Sequence, residues 1–130
     1  NPWDREVSEF CWRSKNSSSR KRFSITSFSQ FIKRSRATHG GSPGWQHDLP
    51  QIDFIGNNKS SVNFIGRFET LQEDYNTICD KLEIPRTKLP HIYESSLRKP
   101  YTDYYDNETR DIVAKKYAED IEYFNYKFGK

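Results

Sequence analysis

Residues 1–10 read "NPWDREVSEF", and the fold turns on this stretch. Asn1 carries a side-chain oxygen suited to capping a helix, Pro2 has the fixed φ of a first helical position, and Asp4 suits the positive end of a helix. The stretch predicts a helix from Pro2 to about Arg13, with Trp3, Val7, Phe10 and Cys11 on its apolar side. Arg5 and Ser8 are three apart and share a face of that helix. Free backbone N–H groups of the first turn, a guanidinium and a hydroxyl together would make a compact anion site. The competing reading pairs Arg5 with Glu9 on a solvated face. Because the chain opens on a helix start rather than on Met, a signal segment or a polar tail, the expectation is that residues upstream are missing.

Working outward, "SKNSSSRKR" over 14–22 reads as a mobile loop, rich in Ser and bases. "ITSFSQFIKRS" over 25–35 predicts a short helix burying Ile25, Phe28, Phe31 and Ile32, and the Gly- and Pro-rich "ATHGGSPGWQHDLP" a loop. "IDFIG" at 52–56 and "VNFIG" at 62–66 alternate apolar and polar residues around "NNKSS", which predicts two strands and a turn. "ETLQEDYNTICDKLEIP" predicts an amphipathic helix closed by Pro85, with Leu71, Tyr75, Ile78 and Leu82 inward. A last helix is expected from an N-cap at Asp106, carrying Ile112, Val113, Lys116, Tyr117, Ile121 and Phe124 at helical intervals.

The apolar share is 33% and mean hydropathy −1.01, low for a self-sufficient core, yet 9 Phe, 8 Tyr and 3 Trp bury large areas. A folded, polar domain follows rather than a disordered chain. The net charge of +3 conceals an asymmetry: no Asp or Glu lies between Phe10 and His47, while Arg13, Lys15, Arg20, Lys21, Arg22, Lys33, Arg34 and Arg36 are basic. Such a block either attracts anions or forms a solvated face. Cys11 and Cys79 match no metal spacing and no disulfide framework, and no apolar run approaches the ~20 residues of a membrane span.

The opening stretch resembles the 3'-phosphate-binding motif of sulfotransferases that use 3'-phosphoadenosine 5'-phosphosulfate (PAPS). The resemblance continues through "HDLPQIDFI", "VNFIGRFETLQEDY" and "SLRKPYTDYYDNETRDIVAKKYAEDIEYFNYKF", and together these are similar to the second half of the sulfotransferase family 2 domain, a group of carbohydrate sulfotransferases. The fold implied is α/β: the C-terminal part of a P-loop-like sulfotransferase fold, helix-rich with a short strand pair, with residues 1–130 a segment of one domain. The resemblance implies that Arg5 and Ser8 grip the 3'-phosphate of the donor. In "FIGRFETL" it makes Phe68 a candidate to stack on adenine, against a core role for the same ring. In "SLRKPYTDYY" it makes Arg98 and Lys99 a bidentate fork and a point charge over the same phosphate, against an exposed basic loop. His47, in "HDLPQ", is a candidate for the acceptor sugar or for proton transfer, its alternative being a structural turn residue; Asp48 stands where many relatives carry an aromatic.

The implied reaction moves a sulfuryl group from PAPS to a hydroxyl, of a carbohydrate by resemblance, by in-line displacement without a metal. The loop that holds the 5'-phosphosulfate, and the base that activates the acceptor, are expected upstream of this segment, so the isolated chain is expected to have no turnover. The acceptor is expected to be a glycan or other hydroxyl compound, anionic if it meets the basic block; nucleic acid is not expected. Localisation stays open: cytoplasm if bacterial, Golgi lumen and membrane-tethered if eukaryotic. The rival classes are a nucleic-acid-binding fragment using "SRKRFSITSFSQFIKRSR" and a non-catalytic interaction piece.

Overall fold

In the computed structural model, which describes residues 1–15, 27–35, 49–55, 62–92 and 98–130, the first helix starts where the sequence places it. Helix α1 spans Pro2–Lys15. The Asn1 side-chain oxygen accepts the N–H of Trp3 at 3.1 Å and of Asp4 at 3.5 Å, and the Asn1 carbonyl accepts the N–H of Arg5 at 3.1 Å. Pro2 has no N–H to give. The donors of the first turn are therefore consumed inside the helix, which corrects the expectation of a backbone contribution to an anion site. Any anion held here must be held by side chains.

Helix α1 continues to Lys15, into the segment expected as a loop; the rest of 14–22 lies outside the described residues. Helix α2 spans Phe28–Ser35, α3 Leu71–Lys81, α4 Asn107–Lys116 and α5 Ala118–Phe124. Short 3-10 turns occupy Gln51–Phe54, Phe68–Thr70 and Tyr101–Tyr104.

The core lies where α1, α2 and α4 meet, built from Trp3, Val7, Phe28, Phe31, Ile32, Val113 and Tyr117. Edge-to-face aromatic contacts let few apolar residues fill it: Phe28 meets Tyr105 at 4.8 Å and Phe10 at 5.4 Å, and Phe128 meets Trp3 at 5.6 Å. The polar handles find partners, with the Trp3 indole donating to the Arg110 carbonyl at 3.2 Å and the Tyr105 hydroxyl to the Trp3 carbonyl at 2.9 Å.

Helix α4 opens with the expected cap. The Asp106 carboxylate accepts the Thr109 N–H at 2.7 Å, and the Thr109 hydroxyl accepts the Asp106 N–H at 3.1 Å. The Thr109 N–H and then its hydroxyl hold the Asp106 carboxyl below its ordinary value. A depressed carboxyl contributes stability above its unfolded pKa, and that contribution is lost as pH falls through the folded value. Asp106→Ala should therefore lower the melting temperature at neutral pH, and the gap to the unsubstituted protein should close as pH drops below about 4. Circular-dichroism melts across pH check this; a gap independent of pH counts against the cap as the cause. The single last helix expected from the spacing breaks at Tyr117, whose φ of −115° and ψ of 33° leave the helical region, and α5 follows.

The expected strand pair is corrected. "IDFIG" forms the Gln51–Phe54 turn because the buried Asp120 carboxylate accepts two consecutive amides, Gln51 at 2.8 Å and Ile52 at 2.9 Å. An extended strand points successive amides to opposite sides and cannot present both to one carboxylate. "VNFIG" has no regular structure, and the expected turn, residues 57–61, lies outside the described residues, among which there is no strand.

The face of α3 also differs from the expectation: Leu71 and Leu82 are exposed, Tyr75 and Ile78 half-buried, and Cys79 buried. Hydrogen bonds with the returning chain set its rotation. The Gln72 side chain donates to the Thr87 carbonyl at 3.0 Å and accepts the Leu89 N–H at 2.8 Å, while the Tyr75 hydroxyl meets that of Thr87 at 3.1 Å. The helix ends at Lys81, ahead of Pro85, and Glu83 just beyond it takes a left-handed φ of 55°.

Candidate functional site

The middle of α1 seats Arg5. Its guanidinium donates to the Leu49 carbonyl at 2.7 Å and lies 4.7 Å from the centre of the Tyr117 ring. Glu9 is paired elsewhere, with Arg13 one turn on at 2.6 Å, so the reading of an Arg5–Glu9 surface pair does not hold. Tyr117 is itself anchored. Its hydroxyl donates to the buried Glu6 carboxylate, and Lys116 donates to the same oxygen at 2.8 Å. Burial and then the Glu6 charge push the Tyr117 phenol far above its ordinary range, so it stays a neutral donor. The other Glu6 oxygen has no hydrogen-bond partner among the described residues. Arg5 thus rests on a ring that packing and a buried carboxylate immobilise.

Ser8 lies one turn from Asp4 on the exposed side of α1. Arg98 arrives there from a distant part of the chain, its guanidinium donating to the Asp4 carboxylate and, at 3.2 Å, to the Asp4 carbonyl. The loop bearing it is laid along α1 by tyrosines of the following turn. The Tyr104 hydroxyl accepts from the Cys11 thiol at 3.8 Å, and the Tyr101 hydroxyl accepts from the Asn1 side-chain amide at 3.2 Å. Lys99 is exposed beside Arg98. Arg5, Ser8 and Asp4, the anchor of Arg98, all lie on the first two turns of one helix, although 93 positions separate the two arginines in the sequence.

Phe68 is 79% exposed, which removes the core reading of this ring. Its neighbours fix the segment: Arg67 donates to the Phe124 carbonyl at 2.8 Å with its guanidinium 5.4 Å from the Tyr126 ring centre. His47 lies outside the described residues.

Chemically, two guanidinium groups and a hydroxyl suit a dianion such as a phosphate, each Arg–phosphate contact contributing ~1.5–3 kcal/mol. An exposed ring such as that of Phe68 suits a planar base. Sequence reading misses Glu6, Tyr117 and Asp120 as supports of this arrangement. The signal was there: Glu6 falls in the stripe of Trp3, Val7 and Phe10, and Asp120 in that of Tyr117, Ile121 and Phe124, where a carboxylate requires a specific partner.

The described residues form a helix-rich segment in which Arg5 and Ser8 lie on the first two turns of α1 and Arg98 is anchored there through Asp4. The model of the sulfotransferase family matches residues 1–127, and the chain belongs to that family. Membership supports sulfuryl transfer to an acceptor hydroxyl as the general chemistry. No curated protein and no solved structure matches the chain. Among the described residues, no helix is long and apolar enough to cross a membrane.

Proposed function

We propose that this chain carries the 3'-phosphate and adenine side of a PAPS site, in an enzyme that sulfates a hydroxyl of a carbohydrate. The observation that carries the reading is the docking of Arg98 on the turn of α1 that bears Asp4 and Arg5. In this reading Arg5 and Arg98 clasp the 3'-phosphate, Ser8 donates a hydroxyl to it, Lys99 adds a mobile charge, and Phe68 offers a face to adenine. The donor itself supplies the sulfuryl group. These residues hold and orient it, which lowers the barrier by removing translational and rotational freedom before reaction. The chain is then the C-terminal part of a P-loop-like α/β domain, with His47 a candidate for acceptor contact or proton transfer.

Calorimetric titration tests this. Adenosine 3',5'-bisphosphate should bind, and adenosine 5'-monophosphate, which lacks the 3'-phosphate, should bind at least tenfold more weakly, a difference of about 1.4 kcal/mol. Equal affinities, or no binding of either nucleotide, would overturn the proposal. Salt-dependent binding of RNA alone would instead favour a nucleic-acid role for the basic block.

A further inference from the structure

A carboxylate stands inside a cluster that should attract anions. Asp4 lies on the same turn of α1 as Arg5 and one turn from Ser8, and at an anion site its charge is unfavourable. What it does instead is hold Arg98. The Arg98 guanidinium donates to both the Asp4 side chain and the Asp4 carbonyl, and only 20% of the Arg98 side chain is exposed. Arg98 follows a stretch, 93–97, outside the described residues, and among the described contacts its guanidinium meets α1 only at Asp4. A long Arg side chain left without that anchor explores many rotamers, and ordering it on ligand binding costs affinity.

We infer that Asp4 is a positioning residue for Arg98: it fixes the guanidinium at the first turn of α1, leaving the remaining N–H donors of the fork for the nucleotide phosphate. A planar guanidinium has five N–H groups, so the Asp4 contacts do not exhaust it. This deepens the function proposed above and rests on it.

The two physical effects of removing Asp4 have opposite signs. Deleting a negative charge several ångströms from a phosphate in solvent strengthens binding by about threefold. Releasing Arg98 weakens it, and a charge-assisted contact of this kind outweighs the Coulomb gain. Asp4→Ala is therefore expected to weaken binding of adenosine 3',5'-bisphosphate about fivefold or more, measured by calorimetry on the full chain. Asp4→Asn, which keeps an acceptor, should show a smaller loss of the same sign, and it carries the test if the alanine variant does not fold. In an Arg98→Ala background the same substitutions should leave affinity unchanged or raise it slightly.

Tighter or unchanged binding in Asp4→Ala overturns the inference, as does an equal loss in the Arg98→Ala background, which marks a merely structural role. Failure of the unsubstituted protein to bind the nucleotide removes the donor-site reading itself. Binding with full affinity in both Asp4 variants removes only this inference.

Discussion

Asp120→Ala is expected to destabilise the protein by about 3 kcal/mol, and to lower its melting temperature by about 10 °C, because it strips the carboxylate from two amides, one buried and one part-buried. The Asp120 side chain is fully buried and accepts the Gln51 and Ile52 N–H groups at 2.8 and 2.9 Å. Alanine removes both charge-assisted bonds and leaves the amides unpaired. Asp120→Asn keeps one acceptor oxygen and should lose roughly half as much. The consequence reaches the site, since the Leu49 carbonyl that receives Arg5 lies two residues before this turn. Chemical denaturation of the two variants measures the effect, and a loss below about 1 kcal/mol for alanine would show that the turn is held by something else.

Arg5→Ala is expected to weaken binding of adenosine 3',5'-bisphosphate by tenfold or more, the loss of one charge-assisted contact worth ~1.5–3 kcal/mol. Binding of adenosine 5'-monophosphate should change little, because the phosphate that Arg5 contacts in the proposed site is missing from it. That contrast separates a lost ligand contact from general damage. Lysine should restore only part of the affinity. Its compact ammonium cannot both donate to the Leu49 carbonyl in the same geometry and contact the Tyr117 ring as the larger guanidinium does. Unchanged affinity for the bisphosphate in Arg5→Ala would remove Arg5 from the site.

Much of the helical framework was legible. Asn1 and Asp106 announce helix starts because a cap is a local event: the side chain bonds amides two or three residues on, and the sequence shows both partners. The apolar faces of α1, with Trp3 and Val7, and of α2, with Phe28, Phe31 and Ile32, were legible for the same reason, being set by periodicity alone. The errors share a different character. "IDFIG" alternates like a strand, but two amides turn toward Asp120, 68 residues away or more. Leu71 and Leu82 look like the inner face of α3, but Gln72 and Tyr75 bond the returning segment and rotate that helix away. The N–H groups that an isolated first turn of α1 would leave free are occupied by the Asn1 side chain that caps it.

The order of motifs by itself determined the family, the starts of α1 and α4, and the residue types suited to grip a phosphate. Tertiary structure alone decided which of them share a place: that Arg98 meets Asp4, that Arg5 lies over Tyr117, and that Phe68 is in solvent. Capping and helical periodicity act over a few bonds and are written locally. A contact across 94 residues, such as that of Arg98 with Asp4, is settled only when the helices pack.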